Sequence, residues 1–246
     1  MCASLLSLRR IAACASLLAG AAMVQPANAN LVQNGSFENI SPSVTVTTSF
    51  ASAGVADWST STLGQAIVLP NWYYSGQIFP GVGFAGAVPQ TSPDGGNWVI
   101  SDATYLTGAI TQTVNGLNPG DTYDLTFYQG MAQDTENITP PGYVTGQWEV
   151  SLGGGSPQYG AAMSADGSVP YFTNWSQQSM SFTATSASEV LSFFAIGTGV
   201  PPLVFLDGVD LEDASAPEPA TIWLSAIAVT VLGWKLRALR RQTNQG

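Results

Sequence analysis

The aromatic residues in the first half of the chain are the side chains best suited to bind a ligand. One loop reads NWYYSG (residues 71–76), and a further tryptophan precedes it. Flat aromatic faces stack on sugar rings, while amide and carboxylate groups hydrogen-bond the hydroxyls. We therefore predict four candidate ligand-binding residues: Trp58, Trp72, Tyr73 and Tyr74. The alternative is that these rings fill a hydrophobic core and fix the loops to it.

Enzymatic chemistry has little support in this composition. The chain has no His, and its two Cys residues, Cys2 and Cys14, lie in the N-terminal segment. Ser-His-Asp sites, Cys-His sites and His-ligated metals are therefore excluded. A carboxylate pair could still serve a glycoside hydrolase, and the supply is Asp57, Asp94, Asp102, Asp134, Glu136 and Glu149. We interpret these as turn residues or solvated strand charges, and predict that the chain is not an enzyme.

Basic residues occur only near the two ends of the chain, and the net charge is −10 at pH 7. They are Arg9, Arg10, Lys235, Arg237, Arg240 and Arg241. Nucleic acid is excluded as a partner of the middle, because phosphate binding requires Lys or Arg. An acidic surface attracts cations, and Ca²⁺ is the obvious one outside the cytoplasm.

The elements that would position these residues are β-strands. The segments GAITQTV (108–114) and YDLTFYQG (123–130) alternate in polarity, and the link at 115–121 is predicted to be a compact hairpin connection. Further strands are predicted at Leu31–Glu38, Val44–Phe50, Ala66–Leu69 and Asn97–Ser101, and in QWEVSLG, QQSMSFTAT, EVLSFFAIG and LVFLDGVDLED. About ten strands with this turn spacing predict one all-β sandwich over residues 30–213.

The N-terminal segment has the features of a secretory signal peptide. Arg9 and Arg10 precede an apolar run, Ile11–Val24, and Ala27-Asn28-Ala29 matches a cleavage site. We predict that residues 1–29 are removed on export.

The C-terminal segment has a spacer, an apolar run and a basic end. Residues 214–219 contain Pro217, Glu218 and Pro219, residues 220–241 hold the apolar run and the basic cluster, and residues 242–246 are a polar end. By the positive-inside rule the apolar helix anchors the chain in the membrane, with the domain outside and the basic end in the cytoplasm.

This C-terminal pattern, APEPATIWLSAIAVTVLGWKLRALRR, resembles the PEP-CTERM sorting signal. The resemblance implies that an exosortase recognises Pro217, Glu218 and Pro219. It also implies a Gram-negative bacterium that makes exopolysaccharide and biofilm matrix. The protein would first be anchored in the inner membrane and then reach the cell surface or the extracellular space. The alternative is an ordinary single-span anchor.

The middle resembles the galactose-binding-like jelly roll of carbohydrate-binding modules. The resemblance rests on NLVQNGSFE (30–38), on GAITQTVNGLNPGDTYDLTFYQG (108–130) as a central hairpin, and on PLVFLDGVDLE (202–212). In such modules the first and last strands are adjacent, and a structural Ca²⁺ lies near their ends. The resemblance implies Glu38 and Asp207 as metal ligands, with Asp210 next. Without a metal, Glu38 would cap a turn and Asp207 would accept backbone hydrogen bonds.

Together these patterns predict an exported surface or matrix protein whose jelly-roll β-sandwich binds carbohydrate, namely exopolysaccharide. The first alternative is a structural or adhesive surface protein without a sugar site. The second is a glycoside hydrolase that depends on carboxylates alone.

Overall fold

The computed structural model describes parts of one compact unit, Ala29–Ser215. The described residues are 29–40, 48–49, 54–60, 66–69, 76–79, 82–84, 92–104, 107–134, 142–166, 172–199 and 201–215. The predicted signal peptide and the predicted sorting signal lie outside them. Within these ranges no helix is long and apolar enough to cross a membrane.

The described part of the chain contains fourteen strands, where the alternating segments predict about ten. Their bounds are β1 Thr48–Ser49, β2 Ser59–Thr60, β3 Ala66–Leu69, β4 Gly76–Phe79, β5 Val82–Phe84, β6 Trp98–Asp102, β7 Ile110–Asn115, β8 Thr122–Gln133, β9 Val144–Leu152, β10 Gln158–Tyr159, β11 Met163–Ala165, β12 Ser176–Thr183, β13 Ser188–Thr198 and β14 Pro202–Asp213. The first sheet has the order β1-β3-β6-β14-β8-β12, and the second has the order β10-β9-β13-β7-β2, with β11 also paired to β9. Among the described residues, the strands β4 and β5 pair only with each other. Every described pairing is antiparallel.

The long strands alternate between the two sheets along the chain. The strands β6, β8, β12 and β14 belong to the first sheet, and β7, β9 and β13 belong to the second. Each step from β6 through β9 therefore crosses from one sheet to the other, as do the steps from β12 to β13 and from β13 to β14. This alternation is that of a jelly-roll sandwich. The predicted all-β jelly-roll sandwich is confirmed for the described residues.

One hydrophobic core lies between the sheets. Phe127 of the first sheet and Phe193 of the second meet edge to face with ring centroids 5.1 Å apart. Trp148 packs against the same Phe193 ring, and its indole N–H donates to the carbonyl of Phe205 at 2.8 Å. Trp98 and Trp148 are fully buried. Neither ring is therefore available to stack on a ligand.

The predicted hairpin between the segments at 108–114 and 123–130 is wrong. β7 and β8 lie in different sheets, so residues 116–121 cross the edge of the sandwich instead of turning back beside one strand. The reason is that each strand has its own buried face. Ile110 and Val114 of β7 point into the core from one side, and Leu125 and Phe127 of β8 point into it from the other. Two such faces pack against each other across a core, and not edge to edge.

The predicted first strand, Leu31–Glu38, is also wrong. This segment consists of bends and turns, because Asn34 and Phe37 have positive φ angles of 51° and 55°. Asn34 supports this conformation by donating to the carbonyls of Asn39 and Ala56 at 3.1 and 3.0 Å. A short polar side chain can hold a left-handed residue in this way, and extended pairing is then lost.

The same segment nevertheless lies beside the last strand, as the family resemblance implied. Leu31 N–H donates to the carbonyl of Leu211 at 2.9 Å, and Val209 N–H donates to that of Gly35 at 3.1 Å. A reciprocal pair of hydrogen bonds joins the Gln112 side chain of β7 to the backbone of Gln33, at 2.8 and 2.7 Å. The segment is therefore tied to both sheets.

Candidate functional site

An irregularity in β14 shapes the outer face of the first sheet. The pairing with β8 is regular up to Asp207 and resumes at Asp210, with a register shift between them. Gly208 has a φ of 57°, a conformation that side chains rarely adopt. A Cβ there would lie 2.9 Å from the Tyr128 ring, so only glycine fits. Bulges of this kind redirect neighbouring side chains. Here the bulge leaves an opening beside β14.

This opening is a groove of about 290 Å³, which we call the bulge groove. Its lining residues come from the N-terminal segment, the turn before β6, and the strands β8, β12 and β14. They are Asn30, Gly35, Ser36, Asp94, Thr126, Tyr128, Gln177, Gly208, Val209 and Asp210. The groove thus combines one aromatic ring with amide, hydroxyl and carboxylate groups, the side-chain types that bind sugars.

The pleat of β8 and β12 points three of these side chains outward. Leu125 and Phe127 face the shared core, so Thr126 and Tyr128 between and after them face the other side of the sheet. Gln177 of β12 is registered opposite Tyr128. Residues directly opposite on one face lie about 5 Å apart, so the ring and the amide form one surface.

Asp207 directly precedes Gly208 of this groove in the chain and is fully buried. Neither carboxylate oxygen completes a hydrogen bond. Burial raises the pKa of the Asp207 carboxyl to about 8, and the charges of Asp94 and Glu38 raise it further, while Ser92 and the Gly208 N–H lie near enough to lower it in part. A buried carboxylate is costly when charged, so this group favours its protonated form at neutral pH.

Asp210 lines the groove itself and is partly buried. One of its oxygens, Oδ1, is buried without a hydrogen-bond partner. Burial raises the pKa of the Asp210 carboxyl, and the charges of Glu212 and Asp94 raise it further. The groove therefore has an unsatisfied acceptor in its wall.

The three residues proposed as metal ligands differ in their surroundings. Glu38 is exposed, and its carboxylate accepts a hydrogen bond from the backbone N–H of Asn97, next to the turn before β6. This is the turn-capping role that the sequence left open. Among the described residues no three acidic side chains come close enough to hold a metal ion together. A Ca²⁺ ion at Asp207 would need backbone or water oxygens as its other ligands.

The structure corrects the assignment of Trp58 as a stacking residue. Its side chain is buried in the core, and its indole N–H donates to the carbonyl of Asn34 at 3.0 Å. Its ring lies 5.3 Å from that of Phe37 and 6.2 Å from that of Phe193, between centroids. The other predicted residues lie outside the described part of the chain: Trp72, Tyr73, Tyr74, Pro217, Glu218 and Pro219.

Sequence reasoning missed Tyr128 and Gln177. The signal for Tyr128 was present, because alternation that turns Tyr123, Leu125 and Phe127 inward turns Tyr128 outward. Its neighbour Gln177 could not be found this way, since the pairing of β8 with β12 brings together residues that are 49 positions apart in the chain.

Comparisons with known proteins give distant similarities. No family model matches the chain. It is similar to halomucin of Haloquadratum walsbyi (strain DSM 16790 / HBSQ001), with 28% identity over 206 residues, which is 82% of this chain and 2% of halomucin. The chain therefore spans about 2% of the length of that relative.

Similar solved structures include two carbohydrate-binding modules and one adhesin domain. TmCBM61 in complex with β-1,4-galactotriose has 14% identity and a TM-score of 0.40, covering 75% of this chain and 99% of that one. The CBM22-1 xylan-binding domain of Paenibacillus barcinonensis Xyn10C has 14% identity and a TM-score of 0.39, covering 78% and 99%. The K1 cleaved adhesin domain of Lys-gingipain from Porphyromonas gingivalis W83 has 16% identity and a TM-score of 0.42, covering 73% and 96%. At these sequence identities and TM-scores the similarities do not decide the function, which depends on the residues of the groove.

Proposed function

We propose that this protein is a non-catalytic carbohydrate-binding module, and that the bulge groove is its binding site. The observation that carries the proposal is the joint position of Tyr128, Gln177 and Asp210 in the lining of one open groove. The ring supplies an apolar face for a sugar ring, and the amide and carboxylate supply hydrogen bonds to its hydroxyls. The ligand would be an exopolysaccharide of the producing cell.

The volume of the groove agrees with about one or two sugar residues of a longer chain. A volume of about 290 Å³ is at the lower end for small-molecule sites, and the groove is open to solvent. An open groove accepts an internal segment of a polymer, whereas a closed pocket accepts only an end. We therefore expect affinity to increase from a monosaccharide to a short oligosaccharide.

Replacing Tyr128 by alanine is expected to weaken oligosaccharide binding by tenfold or more, because the stacking face is lost. Isothermal titration of the full-length protein measures this, against oligosaccharides chosen from a glycan array. The matched control is Tyr143→Ala, which removes a tyrosine that is 63% exposed and does not line the groove. Equal loss of binding in both variants would contradict the assignment of the groove. No binding of any glycan by the wild-type protein would favour a structural or adhesive role.

The structural role of a cation is part of the same proposal. We place Ca²⁺ at the Asp207 carboxylate, because its two buried oxygens lack partners and an oxygen-seeking cation would satisfy both. Such an ion would fix the bulge and the turn before β6, which form two walls of the groove. Its test is the stability of the wild-type protein and of Asp207→Asn with and without Ca²⁺.

The destination of the protein is proposed from the two ends of the chain. The signal peptide exports the domain, and an exosortase recognises Pro217, Glu218 and Pro219 and releases it at the cell surface. Replacing Glu218 by alanine in the producing cell is expected to block removal of the C-terminal segment, so that the protein stays in the inner membrane. Mass spectrometry of the mature C-terminus measures this.

The matched control for sorting is Glu212→Ala, which removes the same type of side chain six residues earlier, in β14. It is expected to leave processing unchanged. A wild-type surface protein that still carries Lys235–Arg241 would instead indicate a permanent membrane anchor.

A further inference from the structure

We propose that the bulge groove selects sugars that carry a free amino group, such as a deacetylated hexosamine polymer. This inference rests on the proposed carbohydrate site and specifies which class of sugar it takes. The ammonium group of the sugar would lie against Asp210, with Asp94 beside it, while the sugar ring lies on Tyr128.

The wall of the groove is acidic. Asp94 and Asp210 both line the groove, and the charge of Asp94 acts on Asp210 and on the buried Asp207. No Lys or Arg occurs between Arg10 and Lys235, so no side chain of the described part can neutralise these carboxylates. A neutral sugar leaves that charge unbalanced, and an ammonium group balances it. The attraction is strongest where the carboxylates are partly shielded from water.

The wall of the groove also has a hydrogen-bond acceptor that lacks a partner. The Asp210 Oδ1 atom is buried without a hydrogen-bond partner, and Asp210 lines the groove. A carboxylate only accepts hydrogen bonds, and an ammonium group only donates them, with three protons. Charge-assisted bonds of this kind are about twice as strong as neutral ones. The wall thus lacks the chemical group that an amino sugar provides.

The lining of the groove also predicts which sugars bind poorly. Uronic acids and sulfated sugars carry negative charge, and the lining offers no basic side chain to bind it. N-acetylation removes the positive charge and replaces it with a bulkier neutral amide. The groove should therefore distinguish an amino sugar both from its acetylated form and from acidic sugars.

The experiment compares three soluble tetrasaccharides on the full-length protein in EDTA and low salt. They are the tetramers of glucosamine and of N-acetylglucosamine, both β-1,4-linked, and the tetramer of galacturonic acid. We expect glucosamine to bind about tenfold more tightly than N-acetylglucosamine and galacturonic acid not to bind. The preference should decrease with added NaCl, because salt screens the charge pair.

Two variants locate this preference. Asp210→Asn keeps the shape of the side chain and removes its charge, and should reduce the preference to about twofold or less. Asp94→Asn is the second variant and should reduce it in part. The matched control is Glu149→Gln, which changes the net charge equally but lies on β9 in the other sheet. It should leave the preference unchanged.

The possible results separate this inference from the proposed function. Equal binding of the amino and acetylated sugars, weakened by Tyr128→Ala, would overturn the amino-sugar inference and leave the carbohydrate site standing. A preference that survives both Asp210→Asn and Asp94→Asn would also overturn it, since the charge would act elsewhere. Absence of binding to all three sugars and to a glycan array would overturn the carbohydrate site itself.

Discussion

Replacing Asp207 by asparagine is expected to raise the free energy of unfolding by up to about 5 kcal/mol at pH 8 in the absence of divalent cations. Burial raises the pKa of this carboxyl to about 8 in the folded protein, against about 3.9 in an unfolded chain. Between these values the folded state holds a proton that the unfolded state releases. The stability from this group is therefore complete below about pH 4 and is lost as the pH rises to about 8. Asparagine keeps the shape of the protonated acid and does not titrate.

Urea unfolding over this pH range, in EDTA, measures the effect. The wild-type protein should lose stability steadily as the pH rises, and the Asp207→Asn variant should lose much less. The matched control is Asp124→Asn, an exposed carboxylate on the same sheet, which should change stability by about 0.5 kcal/mol or less. A wild-type stability that stays constant from about pH 4 to pH 8 would contradict the electrostatic account of Asp207.

The same experiment tests the cation. Ca²⁺ at one hundred times its dissociation constant should stabilise the wild-type protein by about 2.7 kcal/mol. It should not stabilise Asp207→Asn, which lacks the carboxylate. Equal stabilisation of both proteins would place the ion elsewhere, and no stabilisation of either would leave Asp207 as a buried, protonated acid.

The second large effect is expected at Gly35. A Cβ at this position would overlap the carbonyl oxygen of Val209, which belongs to the backbone of β14 and cannot rotate away. Gly35→Ala should therefore force the N-terminal segment off the strand and break the hydrogen bond from Val209 N–H. We expect a loss of about 3 kcal/mol or more in the free energy of unfolding. Because Gly35 lines the bulge groove, glycan binding should be lost as well.

Gly154→Ala is the matched control for Gly35→Ala. A Cβ at Gly154 meets no atom within 4 Å, so the same methyl group should have a small effect on stability. Thermal unfolding and glycan binding of the two variants are measured side by side. A Gly35→Ala protein with wild-type stability would mean that the segment does not pack on β14.

The strands of the sandwich could be predicted because the alternation of apolar and polar residues is visible within each strand's own sequence. β12, β13 and β14 lie within two residues of their predicted bounds, and β9 begins three residues before its predicted start, since alternation of apolar residues fixes a strand locally. The segment at 31–38 was mispredicted for a physical reason. Its apolar residues suggest extension, but Asn34 stabilises a left-handed turn through hydrogen bonds that depend on Asn39 and Ala56 being nearby.

The bulge groove could not be predicted as a site. Its members Asn30, Asp94, Tyr128, Gln177 and Asp210 come from five separate regions of the sequence. The pairing of β8 with β12 and β14 brings Tyr128, Gln177 and Asp210 together. Asn30 reaches them through its side-chain hydrogen bonds to the backbone of β14. The family resemblance indicated Asp207 and Asp210, but it did not show that a groove opens beside them or that an aromatic ring lines it.

The attachment of the N-terminal segment to β14 has a mechanical consequence. Asn30, Gly35 and Ser36 form part of the groove wall, yet their segment belongs to no strand of either sheet. A pulling force applied at Ala29 would load the hydrogen bonds that join Asn30 and Leu31 to β14 before it loaded the strand pairs within the sheets. Tension along the chain would therefore deform the groove first and lower its hold on a bound polymer, while the sandwich behind it stayed folded.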